Sequence, residues 1–314
     1  MKSLTKYLNE KVVIFPSQVD EKLVINKYYK NPYTCNPASL EELRKIIEDR
    51  YNKLGPGTKQ KPINFNDVDV SNISSFYNEN NYIGIFRKTK FEYIDISDWD
   101  VSNVKDMNHM FYGCEQLKSI GDLSDWNVSN VEDLSVMFSR CEQLKSVGDL
   151  SNWNVSKVKD MQGTFSSCKQ LKSVGDLSNW NVSNVEDIGC MFFRCEQLKS
   201  VGDISDWDVS NVKRTNFMFY ECKQLKSIGD LSDWNVSNVK SMNSMFFGCD
   251  QLKSVGDLSN WSMPKIKIIS RMFYGCTQLK SVGDLSNWDV SDIKDKFDVF
   301  DNSGITNIPD WYRG

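Results

Sequence analysis

The chain has 314 residues, with 38 Lys+Arg against 42 Asp+Glu and a net charge of −4. That balance excludes broad binding to nucleic acid, which needs a basic surface. A single histidine argues against a zinc site or a histidine-based catalytic triad, and no apolar run approaches the ~20 residues of a membrane span.

The first residues, MKSLTKYLNEKVVIFPSQ, show no apolar export-signal core, so the sequence alone points to the cytoplasm. Residues 12–15 and 22–25 read as a hairpin across Pro16–Glu21. Ser39 followed by Glu42 forms a capping-box pattern. Leu43, Ile46, Ile47, Tyr51 and Leu54 then make one helical stripe, which Gly55-Pro56 ends. Residues 1–65 are expected to be an α/β N-terminal cap. Asp69-Val70-Ser71-Asn72-Ile73 begins a degenerate first coil, assigned to residues 66–98.

From there the repeat dominates. Eight tryptophans, from Trp99 to Trp288, recur every 27 residues, and Phe keeps the same period from Phe111 to Phe300. Seven cysteines do likewise from Cys114 to Cys276. A fixed period of this length marks stacked repeats. Within a coil the apolar positions fall mostly every third residue, as in Val128, Val131, Leu134, Met137, Cys141, Leu144, Val147 and Leu150. That is neither the 3.6 of a helix nor the 2 of a strand. It predicts a repeat solenoid over residues 99–300, with short parallel β-strands, turns and short 3₁₀ or helical segments in each coil. Trp126-Asn127-Val128 and the K-S-V-G-D-L stretch are the expected strands, and M-x-x-M-F-x-x-C the expected helical or 3₁₀ turn. Phe297, Phe300, Ile305 and Ile308 extend the apolar pattern into a C-terminal cap over residues 301–314.

The cysteine column is expected to be buried thiols, since stacked Cβ atoms about 4.8 Å apart fall outside disulfide geometry. Cys190 breaks that column and is the candidate free, exposed thiol. Lys118, Lys145, Lys172, Lys199, Lys226, Lys253 and Lys280 form a lysine ladder, a candidate stripe for anionic groups. An aspartate column from Asp122 to Asp284, four residues on, is expected to offset its self-repulsion. Another column varies in size: Tyr112, Ser139, Ser166, Phe193, Tyr220, Phe247, Tyr274. Its aromatics form either an exposed binding stripe or a second packing layer. His109, Arg140, Arg194 and Arg271 vary beside it and join Tyr112, Phe193, Tyr220, Phe247 and Tyr274 as the candidate interaction surface. No catalytic, cofactor-binding or metal-binding constellation is evident, so no enzyme activity and no cofactor are expected.

The motif W-[DN]-V-S-N-V-x-x-M-x-x-M-F-x-x-C-x-x-L, as in Trp99–Leu117, resembles the BspA-like leucine-rich-repeat surface proteins found in mycoplasmas and in gut and oral anaerobes. The resemblance implies a leucine-rich-repeat solenoid, a place at the cell surface, and a protein partner such as a host or matrix protein. The alternative is an intracellular structural or scaffold repeat protein with no adhesive role. The chain is expected to be a monomer.

Overall fold

The computed structural model describes residues 33–313, so the hairpin expected over 12–15 and 22–25 lies outside the described residues. Helix α1 spans Leu40–Leu54. Ser39 Oγ accepts the Glu42 N–H at 3.2 Å, and the Glu42 carboxylate accepts the Ala38 N–H at 2.7 Å. The two residues thus satisfy donors that the helix start leaves open. Leu43 and Ile47 are buried and Tyr51 packs edge-on against Phe91 at 5.1 Å. Leu54, expected on the same stripe, is 52% exposed because its turn extends past the core. Arg50 fastens α1 to the body with a bidentate pair to Asp67 at 2.6 and 2.8 Å.

Four two-residue strands follow. β1 (Ile63–Asn64) pairs in parallel with β4 (Ile94–Asp95). β2 (Tyr77–Asn78) pairs antiparallel with β3 (Ile83–Gly84). Beyond them the parallel pairing shrinks to single residues. One column of bridges runs Ser75, Asp106, Asp133, Asp160, Asp187, Arg214, Ser241, Ile268, Asp295.

The expected strand at Trp126-Asn127-Val128 is not formed. The Trp126 N–H turns back to the Leu123 carbonyl at 3.1 Å, and Val131 N–H to Val128 at 2.9 Å. The K-S-V-G-D-L stretch holds only the bridges Tyr93–Ser119 and Ser200–Ser227. The reason is the three-residue period itself. A chain that turns every third residue to keep Val, Leu and Met inside has no room for consecutive extended residues.

The M-x-x-M-F-x-x-C segment is also not helical. N–H groups of Leu134, Val136, Phe138 and Arg140 donate to carbonyls of Asp160, Gln162, Thr164 and Ser166 in the next coil, at 2.7–3.0 Å. N–H groups of Met137, Ser139 and Cys141 close turns within their own coil, at 3.0–3.3 Å. Alternate amides thus serve the neighbour and the turn. This requires left-handed backbone at Val136 (φ +58°) and Arg140 (φ +63°), the third residues of their turns.

The core is a set of ladders. Every column Trp is 3–5% exposed, and the column Phe and Cys residues up to Cys276 are fully buried. Phe rings stack from Phe111 to Phe300 with centroids 5.4–6.0 Å apart and planes within 13°. Trp pairs such as Trp126–Trp153 and Trp261–Trp288 lie within 2° of parallel, so neighbouring coils barely twist. Phe86 extends the Phe stack at the N-terminal side, 5.0 Å from Phe111.

At the other end, helix α2 (Asp310–Arg313) lays Trp311 on Trp288 at 6.3 Å. Phe297, expected in the apolar pattern, is 51% exposed. Its neighbours Val299 and Phe300 fill the core positions instead.

Gly202 shows why one position per coil admits no side chain. Its φ is +87°, and an added Cβ would run into the Asp176 carboxylate of the preceding coil. Gly202→Ala is expected to lower stability by about 2 kcal/mol or more, from left-handed strain plus the clash. Chemical denaturation measures it; a change below about 0.5 kcal/mol, the range of an ordinary surface substitution, would contradict the packing described.

Candidate functional site

The lysine ladder lies on the K-S-V-G-D side. Lys145, Lys172, Lys199, Lys226, Lys253 and Lys280 are exposed, and Lys118 pairs with Glu92 at 2.5 Å. The aspartate column does not neutralise it. Each aspartate, from Asp122 to Asp284, instead accepts the N–H of the Ser two residues on, at 3.0–3.1 Å. Short-range turn capping has claimed those carboxylates. Among the described residues, Lys145, Lys172, Lys199, Lys226 and Lys253 make no ion pair.

A different side carries the variable columns. It runs from Glu132 to Arg140 in one coil and through the equivalent residues of the others. Phe193, Tyr220, Phe247 and Tyr274 are half-buried and stack on one another at 4.9, 4.5 and 4.8 Å, with planes within 18°. Stacking hides their faces and leaves ring edges at the surface. Phe217 meets Phe193 and Tyr220 edge-on. The Arg194 guanidinium lies 5.4 Å from the Phe193 centroid and pairs with Glu221 at 3.0 Å. Arg271 sits over the exposed Phe297 ring at 4.9 Å and pairs with Asp298 at 3.1 Å.

Towards the N-terminus the stack is interrupted for two coils, at Ser139 and Ser166. It resumes at Tyr112, which contacts His109 at 5.1 Å and has Arg87 over its ring at 5.3 Å. His109 also stacks on Tyr77 at 5.5 Å. Burial, with Arg87 nearby, lowers its pKa, so it is not a freely solvated histidine. Arg140 pairs with Glu115 at 3.3 Å.

Two columns on this side have left-handed backbone. One reads His109, Val136, Gly163, Cys190, Phe217, Ser244, Arg271, Asp298, with φ from +52° to +60°. The other includes Arg140, Ser167, Arg194, Glu221, Gly248 and Gly275. Left-handed backbone favours Gly and costs an ordinary L-residue about 1–2 kcal/mol. Large, varied side chains persist there, so the candidate residues His109, Arg140, Arg194 and Arg271 share one strained backbone feature.

Cys190 sits in the first of these columns. It is a free thiol, half-buried, and burial pushes its pKa up to about 11. It is not the activated, exposed thiol expected from its place outside the cysteine column. The column thiols are buried too, and desolvation pushes Cys276 up to about 12.

One cluster was not singled out from the sequence. The bridge column stacks four carboxylates in consecutive coils, Asp106, Asp133, Asp160 and Asp187. Asp187 pairs with Arg214 at 2.5 Å, and Asp133 accepts from Ser135. Among the described residues, the Asp160 carboxylate accepts only the Gln162 N–H, at 2.8 Å. Burial, with Asp133 and Asp187 on either side, raises its pKa to about 6. The V-x-D-M spacing shows these residues as periodic, but not as half-buried.

A carboxyl whose pKa is higher folded than unfolded holds its proton more tightly in the fold, so its contribution to stability rises as pH falls from about 7 to 4. Asp160→Asn is expected to stabilise the protein by about 1–2 kcal/mol at pH 7.5, after allowance for partial exposure. The gain should vanish near pH 4. Thermal melts across that range test it, and a pH-independent gain would contradict the charge origin.

Residues 59–148, 80–201 and 191–311 each match the family described as "Mycoplasma protein of unknown function, DUF285". The chain belongs to the DUF285 family. The matched residues contain every copy of the motif that resembles the BspA-like leucine-rich-repeat proteins, and the DUF285 fold here is a repeat solenoid of that type. No curated protein matches it. Solved structures similar to it include a leucine-rich repeat protein from Eubacterium ventriosum, 16% identical, covering 78% of this chain and 77% of that one with a TM-score of 0.33. A T. pallidum leucine-rich repeat protein is 16% identical over 63% of this chain and 70% of its own, with a TM-score of 0.25.

Proposed function

We propose that this DUF285 chain is a non-catalytic protein-binding solenoid whose binding side is the one carrying the aromatic stack and the two left-handed columns. The observation that supports it is the persistence of Phe217, Arg194, Glu221 and Arg271 on backbone that favours Gly, beside half-exposed stacked rings. Strain retained next to exposed aromatic and arginine side chains suits recognition, where Tyr, Phe and Arg are favoured. In this reading residues 1–65 and 301–314 are caps, residues 66–98 a degenerate coil, and residues 99–300 the binding rod. Following the BspA-like resemblance, the protein works at the cell surface and a host or matrix protein is the partner.

The lysine ladder competes for the role of binding side, and one selection separates them. A displayed peptide library is panned on the wild-type chain. Binders are then re-tested on Phe247→Ser/Tyr274→Ser and on Lys199→Gln/Lys226→Gln. The column already carries Ser at Ser139 and Ser166, so the first variant is expected to fold. Binding lost at least ten-fold on the first variant and kept on the second supports the aromatic side, the size of effect expected of interface aromatics. The reverse pattern assigns binding to the lysines and overturns the proposal. Surface proteolysis of intact cells tests location: a fully protected pool would leave the intracellular scaffold as the correct reading.

A further inference from the structure

Neighbouring coils barely twist along the rod, and the aromatic side is not uniform from end to end. Its two-coil gap at Ser139 and Ser166 lies in one half, and the half-buried, stacked rings Phe247 and Tyr274 lie in the other. Eight coils, from Asp106 to Asp295, make up the repeated part, with the midpoint between the coils of Asp187 and Arg214. If a second copy is laid face to face on this side and antiparallel, about a two-fold axis at that midpoint, each column meets itself with the coil order reversed. That follows from a two-fold axis lying in the interface and across the rod, and it makes the contact isologous.

We propose that this side is the interface of an antiparallel dimer, with a second copy of the chain as its occupant. The inference rests on the reading of this side as the binding side, and it puts a second copy there in place of the host or matrix partner and of the monomer expected from the sequence. Reversing the coil order sets Phe247 against Ser166 and Tyr274 against Ser139, ring against gap, and sets Phe193 against Tyr220, ring against ring at the midpoint. In the left-handed columns it sets Phe217 against Cys190 and Arg140 against Gly275, large against small again.

Charges near the midpoint match as well. Arg194 meets Glu221 of the second copy, and these two already pair within one chain at 3.0 Å. The four groups therefore close into a ring of alternating sign. Glu186 and Lys213, paired at 2.5 Å within the chain, form a second such ring on the other edge of the strip. Further out, Glu132 meets Lys267. Lys159 meets Lys240, and Glu132 at 2.7 Å shields Lys159 within its own chain. At the ends Lys105 meets Lys294, where solvent screens the pair.

The size is adequate. Eight coils at about 4.8 Å make a side about 38 Å long, and a strip about 20 Å wide along it covers about 800 Å² per copy. That is what a stable dimer needs.

Sedimentation equilibrium of the full chain at 1–100 µM tests the proposal. The wild type is expected to have twice the chain mass. Phe247→Ser/Tyr274→Ser is expected to weaken dimerisation by about 100-fold or more with its circular dichroism unchanged. Ser166→Phe, which blocks the gap while lengthening the chain's own stack, is expected to weaken it similarly. Glu132→Lys weakens it, and adding Lys267→Glu restores it, a rescue expected only if those two coils face each other. A wild type that is monomeric at 100 µM overturns the dimer while leaving the peptide selection to judge the binding side. A dimer indifferent to the Ser and Phe variants, or unrescued by Lys267→Glu, overturns the antiparallel arrangement.

Discussion

Everything in the rod depends on how a tight turn's carbonyl spends its second lone pair. A chain that turns every three residues buries carbonyls that each accept one N–H from their own turn. Leu150 O takes the Trp153 N–H at 3.0 Å, and Phe138 O takes the Cys141 N–H at 3.0 Å. Both carbonyls then accept a second donor from the following coil, the Trp180 indole at 2.9 Å and the Cys168 thiol at 3.1 Å. Trp and Cys recur at 27-residue spacing because each is apolar in bulk yet carries one donor. Phe or Leu in place of Trp would fill the space and leave the carbonyl half-served. The Asn column works at the surface in the same way, as where Asn184 Nδ2 reaches the Ser156 carbonyl at 2.7 Å.

This constraint separates what is fixed from what is free. The donors and the apolar positions cannot vary without opening a buried carbonyl or a void. The outward positions between them can. Those positions fall where alternate amides serve the next coil, which is also where the backbone must go left-handed. Variation and strain therefore coincide for a mechanical reason, and side chains projecting from such positions are the natural material for a recognition surface.

The period and the core columns were legible in the sequence because burial repeats with it. Ser39 and Glu42 announced α1, and Gly55 its end. The strand at Trp126-Asn127-Val128 was misread because alternation over three residues cannot distinguish a strand from two adjoining turns. The left-handed columns were not legible at all. His109, Val136, Cys190 and Phe217 are poor choices for that backbone, so no residue type signals it. Pairing was misread where charge spacing suggested Lys–Asp neighbours: Asp122 and its equivalents prefer the Ser N–H two residues away, a local contact with less entropy to lose. The candidate aromatics were visible as a varying column, whereas their stacking on one another depends on the small twist between coils.

The C-terminal helix turn has a consequence for how such rods change in length. Trp311 follows Trp288 by fewer than 27 residues, yet its indole reaches the Leu285 carbonyl at 2.8 Å, the same kind of acceptor that every coil offers its successor. The closing residue is thus addressed to a generic socket, not to one particular coil. Duplication or deletion of whole 27-residue units upstream leaves both socket and plug intact. Length is therefore a property this architecture can alter in single steps by recombination between near-identical repeats, with no redesign of its ends.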